Sequence, residues 1–193
     1  MGVPLLLSLT GSSAQYDNEW YVTAAHNKPL LGGKETYYHP VCDFAIFRSK
    51  SDKGKEPKLG YVFENEDTYH VGYPVGMLIS SHKGKYVGEV FNPGDKCIYS
   101  ASDATTISGM SGGGVYNKYG ELVGVNIGIM HGAIEWPNGK VQFSPSIFMS
   151  INAMKDFIEE VTSNKVVLNI REEEENGIRI FRRTNRTSNG VSI

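Results

Sequence analysis

The sequence has little of what would define a disulfide scaffold, a membrane span or a basic binding face. Only two of its 193 residues are cysteine, and Cys42 and Cys97 could either pair or serve as small core residues. The longest apolar runs are far shorter than the roughly 20 residues that cross a bilayer. The formal net charge is −2, so no positive field would attract nucleic acid or anionic lipid. We therefore expect neither nucleic acid nor a membrane as a partner.

The first residues, MGVPLLLSLTGSS, also lack the features of a targeting segment. The apolar part is short and no basic residue precedes it, so the pattern does not indicate a signal peptide. We interpret residues 4–9 as a first β-strand. The expected protein is soluble, and its location stays open between cytoplasmic and virion-associated.

Short β-prone segments alternate with turn sequences along most of the chain. Glycine, proline and asparagine cluster between these segments, where they favour tight turns. The pattern predicts an all-β barrel or sandwich. The segments rich in β-branched and aromatic residues are 20–25, 35–38, 44–47, 69–73, 85–91, 96–100, 121–129 and 141–144.

The C-terminal part of the sequence departs from the β pattern. Residues 150–163 place apolar side chains at helical spacing, with Ser150 as a possible N-cap. Residues 164–193 form an addition in which Asn176 and Gly177 suit a hairpin turn between an acidic and a basic run. The last ten residues are expected to be flexible. This addition could mediate self-association or bind a partner, or its glutamates could form a solvated face.

Three motifs supply the side chains that nucleophilic catalysis by serine requires. Ser111 lies among glycines in GMSGGG, which allow a sharp turn that can direct backbone N–H groups at one oxyanion. His26 follows small residues in TAAH, and Asp43 begins the apolar segment DFAIF. A hydroxyl, an imidazole and a carboxylate are the groups of such a triad. The competing candidates for the carboxylate, Asp52, Asp67 and Asp103, do not begin an apolar segment.

These motifs resemble, in their order along the chain, those of chymotrypsin-like (trypsin-fold) serine proteases. The similar stretches are TAAH at 23–26, DFAIF at 43–47 and GMSGGGVYNKYGELVGVNIG at 109–128. With GYP at 72–74 and KGK at 83–85, they are most similar to the glutamyl endopeptidase and high-temperature-requirement branches. The resemblance extends from about Pro4 to about Ser163.

The resemblance implies two six-stranded antiparallel β-barrels followed by a C-terminal helix and the extra hairpin and tail. The N-terminal barrel, residues 1–65, would carry His26 and Asp43, and the C-terminal barrel, residues 66–149, would carry Ser111. The helix would occupy residues 150–163 and the addition residues 164–193. Cofactors and metal ions are not implied, because the chemistry of a serine peptidase needs only side chains and backbone groups.

The resemblance also assigns roles to individual positions. Ser111 would be the nucleophile, His26 the general base and then acid, and Asp43 the group that holds the imidazole tautomer. The N–H groups of Gly109 and Ser111 would form the oxyanion hole.

Substrate recognition is implied in the same way. Asn126, Ile127 and Gly128 would form the edge strand that pairs with an extended polypeptide substrate. Thr105 would lie near the base of the pocket for the substrate side chain before the scissile bond. Thr105 lacks the carboxylate of trypsin-like pockets, and Asn126 replaces the histidine of the glutamyl endopeptidases. The preferred substrate residue therefore stays open.

A second hypothesis is that the chain has the protease fold but no protease activity. A protease fold does not by itself establish proteolysis. The chain could instead be a catalytically inactive or self-processing interaction protein, for example a viral or phage assembly component.

Overall fold

The computed structural model describes residues 11–50, 56–75, 77–136 and 138–171, together with the backbone of residues 174–175 and 178–179. The predicted first strand at 4–9, the turn residues Asn176 and Gly177 and the last ten residues lie outside this part. Within it, every predicted strand segment overlaps an observed strand. Antiparallel strands dominate, which confirms the predicted all-β class.

The first strands form a four-stranded antiparallel sheet. They are β1 (Ala14–Gln15), β2 (Trp20–Thr23), β3 (Thr36–Tyr38) and β4 (Ala45–Arg48), and their order is β1-β2-β4-β3. A 3-10 helix, Ala25–Leu30, follows β2. Thr23 at the end of β2 lies opposite Ala45 at the start of β4. This register brings the segment after β2, which contains His26, next to the segment before β4, which contains Asp43.

Six strands of the second half close into an antiparallel barrel. They are β5 (Asp67–Gly72), β6 (Ser80–Asn92), β7 (Cys97–Ser102), β8 (Gly114–Asn117), β9 (Leu122–Ile129) and β12 (Ser146–Ser150). The order around the barrel is β12-β7-β6-β5-β8-β9. A hairpin of β10 (Ala133–Glu135) and β11 (Val141–Phe143) lies between β9 and β12 in the chain. The Ser111 loop connects β7 to β8.

The two halves share one hydrophobic core. Its largest cluster of buried apolar side chains includes Val22 and Phe44 from the first sheet and Leu122 and Val125 from the barrel. All four of these side chains are fully buried. The shared core fixes the motifs of the first sheet against the barrel that carries Ser111.

The C-terminal helix begins later than the sequence predicts. The α-helix α1 is Lys155–Thr162, and Ser150 belongs to β12, where it pairs with Gly124 of β9. Met154, not Ser150, is the N-cap residue of α1. Ser150 bonds instead to the turn between β12 and α1, where its hydroxyl accepts from Ala153 N–H at 3.3 Å and its carbonyl oxygen accepts from Met154 N–H at 3.2 Å. The apolar Ile151 and Met154 are buried in the connecting turn, which explains why they matched a helical pattern.

The segment after α1 is fixed to the barrel through a buried carboxylate. Glu121 is only 1% exposed, and it accepts hydrogen bonds from Asn117 Nδ2 at 2.9 Å, Asn169 Nδ2 at 2.9 Å and an Arg171 guanidinium N–H at 2.7 Å. Beyond Arg171, the backbones of β13 (Glu174–Glu175) and β14 (Ile178–Arg179) pair antiparallel. A partner role for residues 164–193 stays a prediction.

A disulfide links the two halves. Cys42, directly before Asp43, is bonded to Cys97, the first residue of β7, across a sequence separation of 55 residues. Of the two alternatives that the sequence left open, the structure shows the pair.

We expect the Cys42→Ser/Cys97→Ser double variant to lose about 2–4 kcal/mol of unfolding free energy, because removing a cross-link over a long loop increases the entropy of the unfolded chain. Urea unfolding of the two proteins measures the difference. Wild-type protein unfolded in the presence of a reductant should match the double variant. A double variant as stable as the oxidised wild type would contradict the prediction.

Candidate active site

His26 and Asp43 form a doubly bonded pair. The His26 ring Nδ1 lies 2.6 Å from Asp43 Oδ2, and the His26 backbone N–H donates to Asp43 Oδ1 at 2.9 Å. The hydrogen bond from Asp43 raises the pKa of His26 above its ordinary value of 6.5, although partial burial opposes this shift. The carboxylate thus holds both the ring and the backbone of the histidine, and it fixes the proton on Nδ1.

Ser111 Oγ makes a different contact from the one predicted. It donates to the carbonyl oxygen of Ile127 at 2.8 Å. Ser111 and His26, both within the described residues, are not hydrogen bonded to each other. The roles implied by the resemblance require His26 to reach both Asp43 and Ser111, and of these two contacts the structure shows the bond to Asp43.

Backbone geometry explains the glycines of the Ser111 loop. Gly109 and Gly112 have φ angles of +96° and +89°, which other residues adopt only with strain. A Cβ on Gly112 would lie 2.1 Å from the Ser12 carbonyl oxygen and 2.2 Å from Thr23 Oγ1. The loop is therefore a tightly packed turn whose path requires glycine.

The two N–H groups predicted to bind the oxyanion make no hydrogen bond to another group of the described chain. Within residues 11–171, apart from the gaps in the described ranges, the N–H groups of Gly109 and Ser111 have no hydrogen-bond acceptor. The adjacent N–H groups of Met110 and Gly112 do have acceptors, the carbonyl oxygens of Ile107 and Asn126. Two free donors close together on one loop are what an oxyanion site requires.

Two residues that the sequence analysis missed, Ser12 and Asn27, hold the backbone of Ser111 in place. The Ser111 carbonyl oxygen accepts hydrogen bonds from Ser12 N–H at 2.8 Å and Asn27 Nδ2 at 2.9 Å. Asn27 Nδ2 also lies 3.0 Å from Thr23 Oγ1. Asn27 could have been found from the sequence, because it directly follows His26. Nothing in the local sequence indicates that Ser12 contacts Ser111.

A family comparison covers the region that contains all three triad candidates. Residues 10–125 match the model of the trypsin-like peptidase domain. The chain belongs to the trypsin-like peptidase domain family. The matched region contains His26, Asp43 and Ser111 and ends just before Asn126. No curated protein sequence matches this peptidase domain significantly.

Solved structures with the same fold are proteases of low sequence identity. The HtrA-type protease AlgW with a decapeptide has a TM-score of 0.61 and 17% identity over 81% of this chain and 53% of its own. The MamO protease domain from Magnetospirillum magneticum has a TM-score of 0.58 and 16% identity over 81% of this chain and 91% of its own. The peptidase domain thus spans about half the length of the AlgW chains.

Family and fold together confirm the predicted family, the chymotrypsin-like serine proteases, and the fold is consistent with a trypsin-like double β-barrel. Within the described residues, the second half closes the predicted six-stranded barrel, whereas the first half forms a four-stranded sheet in place of six strands. The HtrA-type neighbours agree in fold with one of the two predicted branches. The resemblance to the glutamyl endopeptidase branch is not confirmed.

The backbone of Asn126 is hydrogen bonded to the glycines that follow Ser111. The Asn126 N–H donates to Gly113 O at 2.8 Å, and its carbonyl oxygen accepts from Gly112 N–H at 2.7 Å. Ile127 and Gly128 follow, and a Cβ on Gly128 would meet no atom within 4 Å. The Ile127 carbonyl oxygen is the acceptor of Ser111 Oγ, and the Gly128 carbonyl oxygen accepts from Thr106 Oγ1 at 3.3 Å. Pairing of Asn126, Ile127 and Gly128 with a substrate stays a prediction.

His70 supports Asn126 from inside the barrel. Its Nδ1 lies 2.6 Å from Asn126 Oδ1, and Asn126 Nδ2 donates to Val71 O at 3.2 Å. Burial lowers the pKa of His70 to about 4, so the ring is neutral near pH 7 and donates to the amide oxygen. The strand β5 directs this histidine into the barrel, where its ring packs beside Phe148.

The predicted pocket residue Thr105 is exposed and uncharged. Its carbonyl oxygen accepts a hydrogen bond from His82 Nδ1 at 2.5 Å. The next residue, Thr106, is buried and lies 2.9 Å from Ser146 through the two hydroxyl oxygens. A role for Thr105 in substrate selection stays a prediction.

Neither a metal site nor a membrane helix is found in the part of the chain that the structure describes. There, no group of three or more His, Cys, Asp and Glu side chains is arranged to hold a metal ion. The described helices are all too short or too polar to cross a membrane.

Proposed function

We propose that this peptidase domain cleaves polypeptides through a Ser111, His26 and Asp43 triad and an acyl-enzyme on Ser111. The observation that carries the proposal is that the Asp43 carboxylate accepts two hydrogen bonds from His26, one from the ring and one from the backbone N–H. Because Nδ1 carries the proton that faces Asp43, Nε2 keeps the lone pair that a general base needs.

The reaction follows from these groups. As Ser111 Oγ bonds to the substrate carbonyl carbon, its proton passes to His26 Nε2, and the N–H groups of Gly109 and Ser111 stabilise the negative oxygen. His26 then gives that proton to the leaving amine as the C–N bond breaks. Water attacks the acyl group in the second half, with His26 again accepting and returning the proton.

The bond from Ser111 to Ile127 suggests how a substrate prepares the nucleophile. An extended substrate that pairs with Ile127 would donate a backbone N–H to the carbonyl oxygen that Ser111 Oγ now occupies. Such competition would release the hydroxyl from Ile127 and leave it free to bond to His26.

A protease fold without activity is the second candidate. The observation in its favour is the same bond from Ser111 to Ile127, because it leaves Ser111 and His26 without a mutual hydrogen bond. An inactive protein would keep this arrangement when a peptide is added.

A fluorophosphonate probe separates the two candidates, because it reacts with a serine only when the hydroxyl is activated. We expect covalent labelling of the wild type, loss of labelling in Ser111→Ala, and a strong reduction in His26→Ala. The control is Ser13→Ala, an exposed serine on the preceding segment. Folded wild-type protein that remains unlabelled would exclude the triad and favour the inactive protein.

The pH dependence of kcat/KM should have an acid limb with its midpoint above pH 6.5. Asp43 raises the pKa of His26, and only the neutral imidazole can act as a base, so activity falls as the pH drops through that raised value. Initial rates on a peptide between pH 5 and 9 give the profile. A midpoint below 6.5 would show that Asp43 does not stabilise the protonated ring in solution.

A further inference from the structure

Ser12 lies between the Ser111 loop and the segment that follows β5. Its hydroxyl donates to the carbonyl oxygen of Gly109 at 2.8 Å and accepts from the Tyr73 N–H at 2.9 Å. The residue is 6% exposed, so water does not readily replace either bond. One buried hydroxyl thus joins three segments that are distant in sequence.

We propose that Ser12 is a positioning residue that orients the peptide groups on either side of Gly109, so that the Gly109 N–H is directed at the oxyanion. The inference rests on the proposed peptidase activity. Turnover would then depend on Ser12, a residue that belongs neither to the triad nor to the oxyanion hole.

Hydrogen bonds hold both peptide planes that flank Gly109. The Ser108 carbonyl oxygen accepts from Val75 N–H at 3.0 Å, and the Gly109 carbonyl oxygen accepts from Ser12 Oγ at 2.8 Å. In a trans peptide the N–H points opposite to the preceding C=O. The Val75 bond therefore sets the direction of the Gly109 N–H, and the Ser12 bond limits rotation on the other side of the residue.

Gly109 needs this restraint because glycine has wide conformational freedom. Its φ of +96° lies in a region that glycine enters and leaves at low cost. The Gly109 N–H lies in the Ser108–Gly109 peptide plane, and rotation of that plane relative to the Gly109–Met110 plane would turn the N–H away from the reacting carbonyl. The Ser12 bond holds the second of these planes in place. Through the Tyr73 N–H, the Ser12 hydroxyl also connects this loop to the segment that contains Val75.

The backbone of Ser12 is held independently of its hydroxyl. Its N–H donates to Ser111 O at 2.8 Å, and its carbonyl oxygen accepts from Thr23 Oγ1 at 2.7 Å. Ser12→Ala therefore removes the two side-chain bonds while the backbone contacts with the Ser111 loop remain. The adjacent Ser13 is exposed, and Ser13→Ala is the matched control.

The test compares these two variants in turnover and in the binding of two probes. We expect Ser12→Ala to lower kcat by roughly 10²-fold, the effect of losing one oxyanion donor, with KM within about twofold of the wild type. Affinity for a peptide boronate, whose tetrahedral adduct places an oxygen in the oxyanion hole, should fall by a similar factor. Affinity for an uncleavable product peptide should not change, and Ser13→Ala should match the wild type throughout.

A purely structural role for Ser12 predicts a different result. Thermal stability would then fall, but kcat per titrated active site and boronate affinity would stay at wild-type values, and this outcome would overturn the proposal.

If Ser12→Ala does not fold, Val75→Pro is the second variant. It removes the N–H that bonds to Ser108 O, at a position following Pro74 where a turn accepts proline, since Met77 N–H bonds back to Pro74 O. Val75→Pro with wild-type boronate affinity would equally overturn it.

One readout does not depend on turnover. In a Ser111→Ala background, the amide NMR resonance of Gly109 should be sharp with Ser12 present and broadened or doubled in Ser12→Ala. An unchanged resonance contradicts the positioning role. If the resonance responds as expected while wild-type protein remains unlabelled by fluorophosphonate, the proposed activity fails and the structural coupling stands.

Discussion

Replacing Asp43 with asparagine should lower kcat on a peptide substrate by about 10⁴-fold. The carboxylate accepts from the His26 ring and backbone, and an amide in its place can present an N–H₂ group to Nδ1. The ring would then carry its proton on Nε2, the atom that must accept the proton of Ser111. Because the shape of the side chain hardly changes, the loss should come from the wrong tautomer and not from unfolding.

The measurement is kcat per folded protein, with circular dichroism to confirm the fold. Asp156→Asn is the matched control, since Asp156 is an exposed aspartate in the first turn of α1. The acid limb of the variant's remaining activity should move to lower pH, because the group that raises the His26 pKa is gone. An Asp43→Asn enzyme within tenfold of the wild type would show that another carboxylate orients His26.

Gly112→Ala should destabilise the folded protein by about 2–6 kcal/mol. Part of this cost is the strain of a φ of +89° in a residue with a side chain, which is roughly 1–3 kcal/mol. The rest is overpacking of about 1–3 kcal/mol, because the new methyl group would lie 2.1 Å from Ser12 O and 2.2 Å from Thr23 Oγ1. These neighbours include backbone, so they cannot simply rotate away.

Gly120→Ala separates the two contributions. Gly120 has a φ of +72°, but a Cβ there would meet no atom within 4 Å. This variant should therefore lose only the conformational part. Urea unfolding of both variants gives the difference, and equal losses would mean that the contacts around Gly112 relax at no cost.

The sequence predicted well those features that depend on local chemistry. Each β-prone segment within the described residues overlaps a strand, and in β4 and β9 the β-branched and aromatic side chains fill a buried sheet face. The β11 segment is also a strand, although Val141 and Phe143 are exposed. His26 and Asp43 were identified by their short motifs, and the register of β2 and β4 brings them together. Local pattern and tertiary structure agree at these positions.

Features that depend on long-range pairing were not predicted. Residues 150–154 have a helical pattern of apolar side chains, but Ser150 belongs to β12 because it pairs with Gly124 of β9 in the closed barrel. The polar side chain of His70 is tolerated in the core because the amide oxygen of Asn126, from a distant strand, accepts a hydrogen bond from its ring. Ser12 contacts the Ser111 loop across a separation of 97 residues to Gly109, which no local pattern encodes.

The covalent link between Cys42 and Cys97 has a consequence for local opening of the native state. It ties the residue before Asp43 to β7, the strand that leads into the Ser111 loop. Local unfolding of the first sheet therefore cannot carry Asp43 far from the barrel. Slow amide hydrogen exchange in β4 and β7 should then report one common opening event, and reduction should separate it into two.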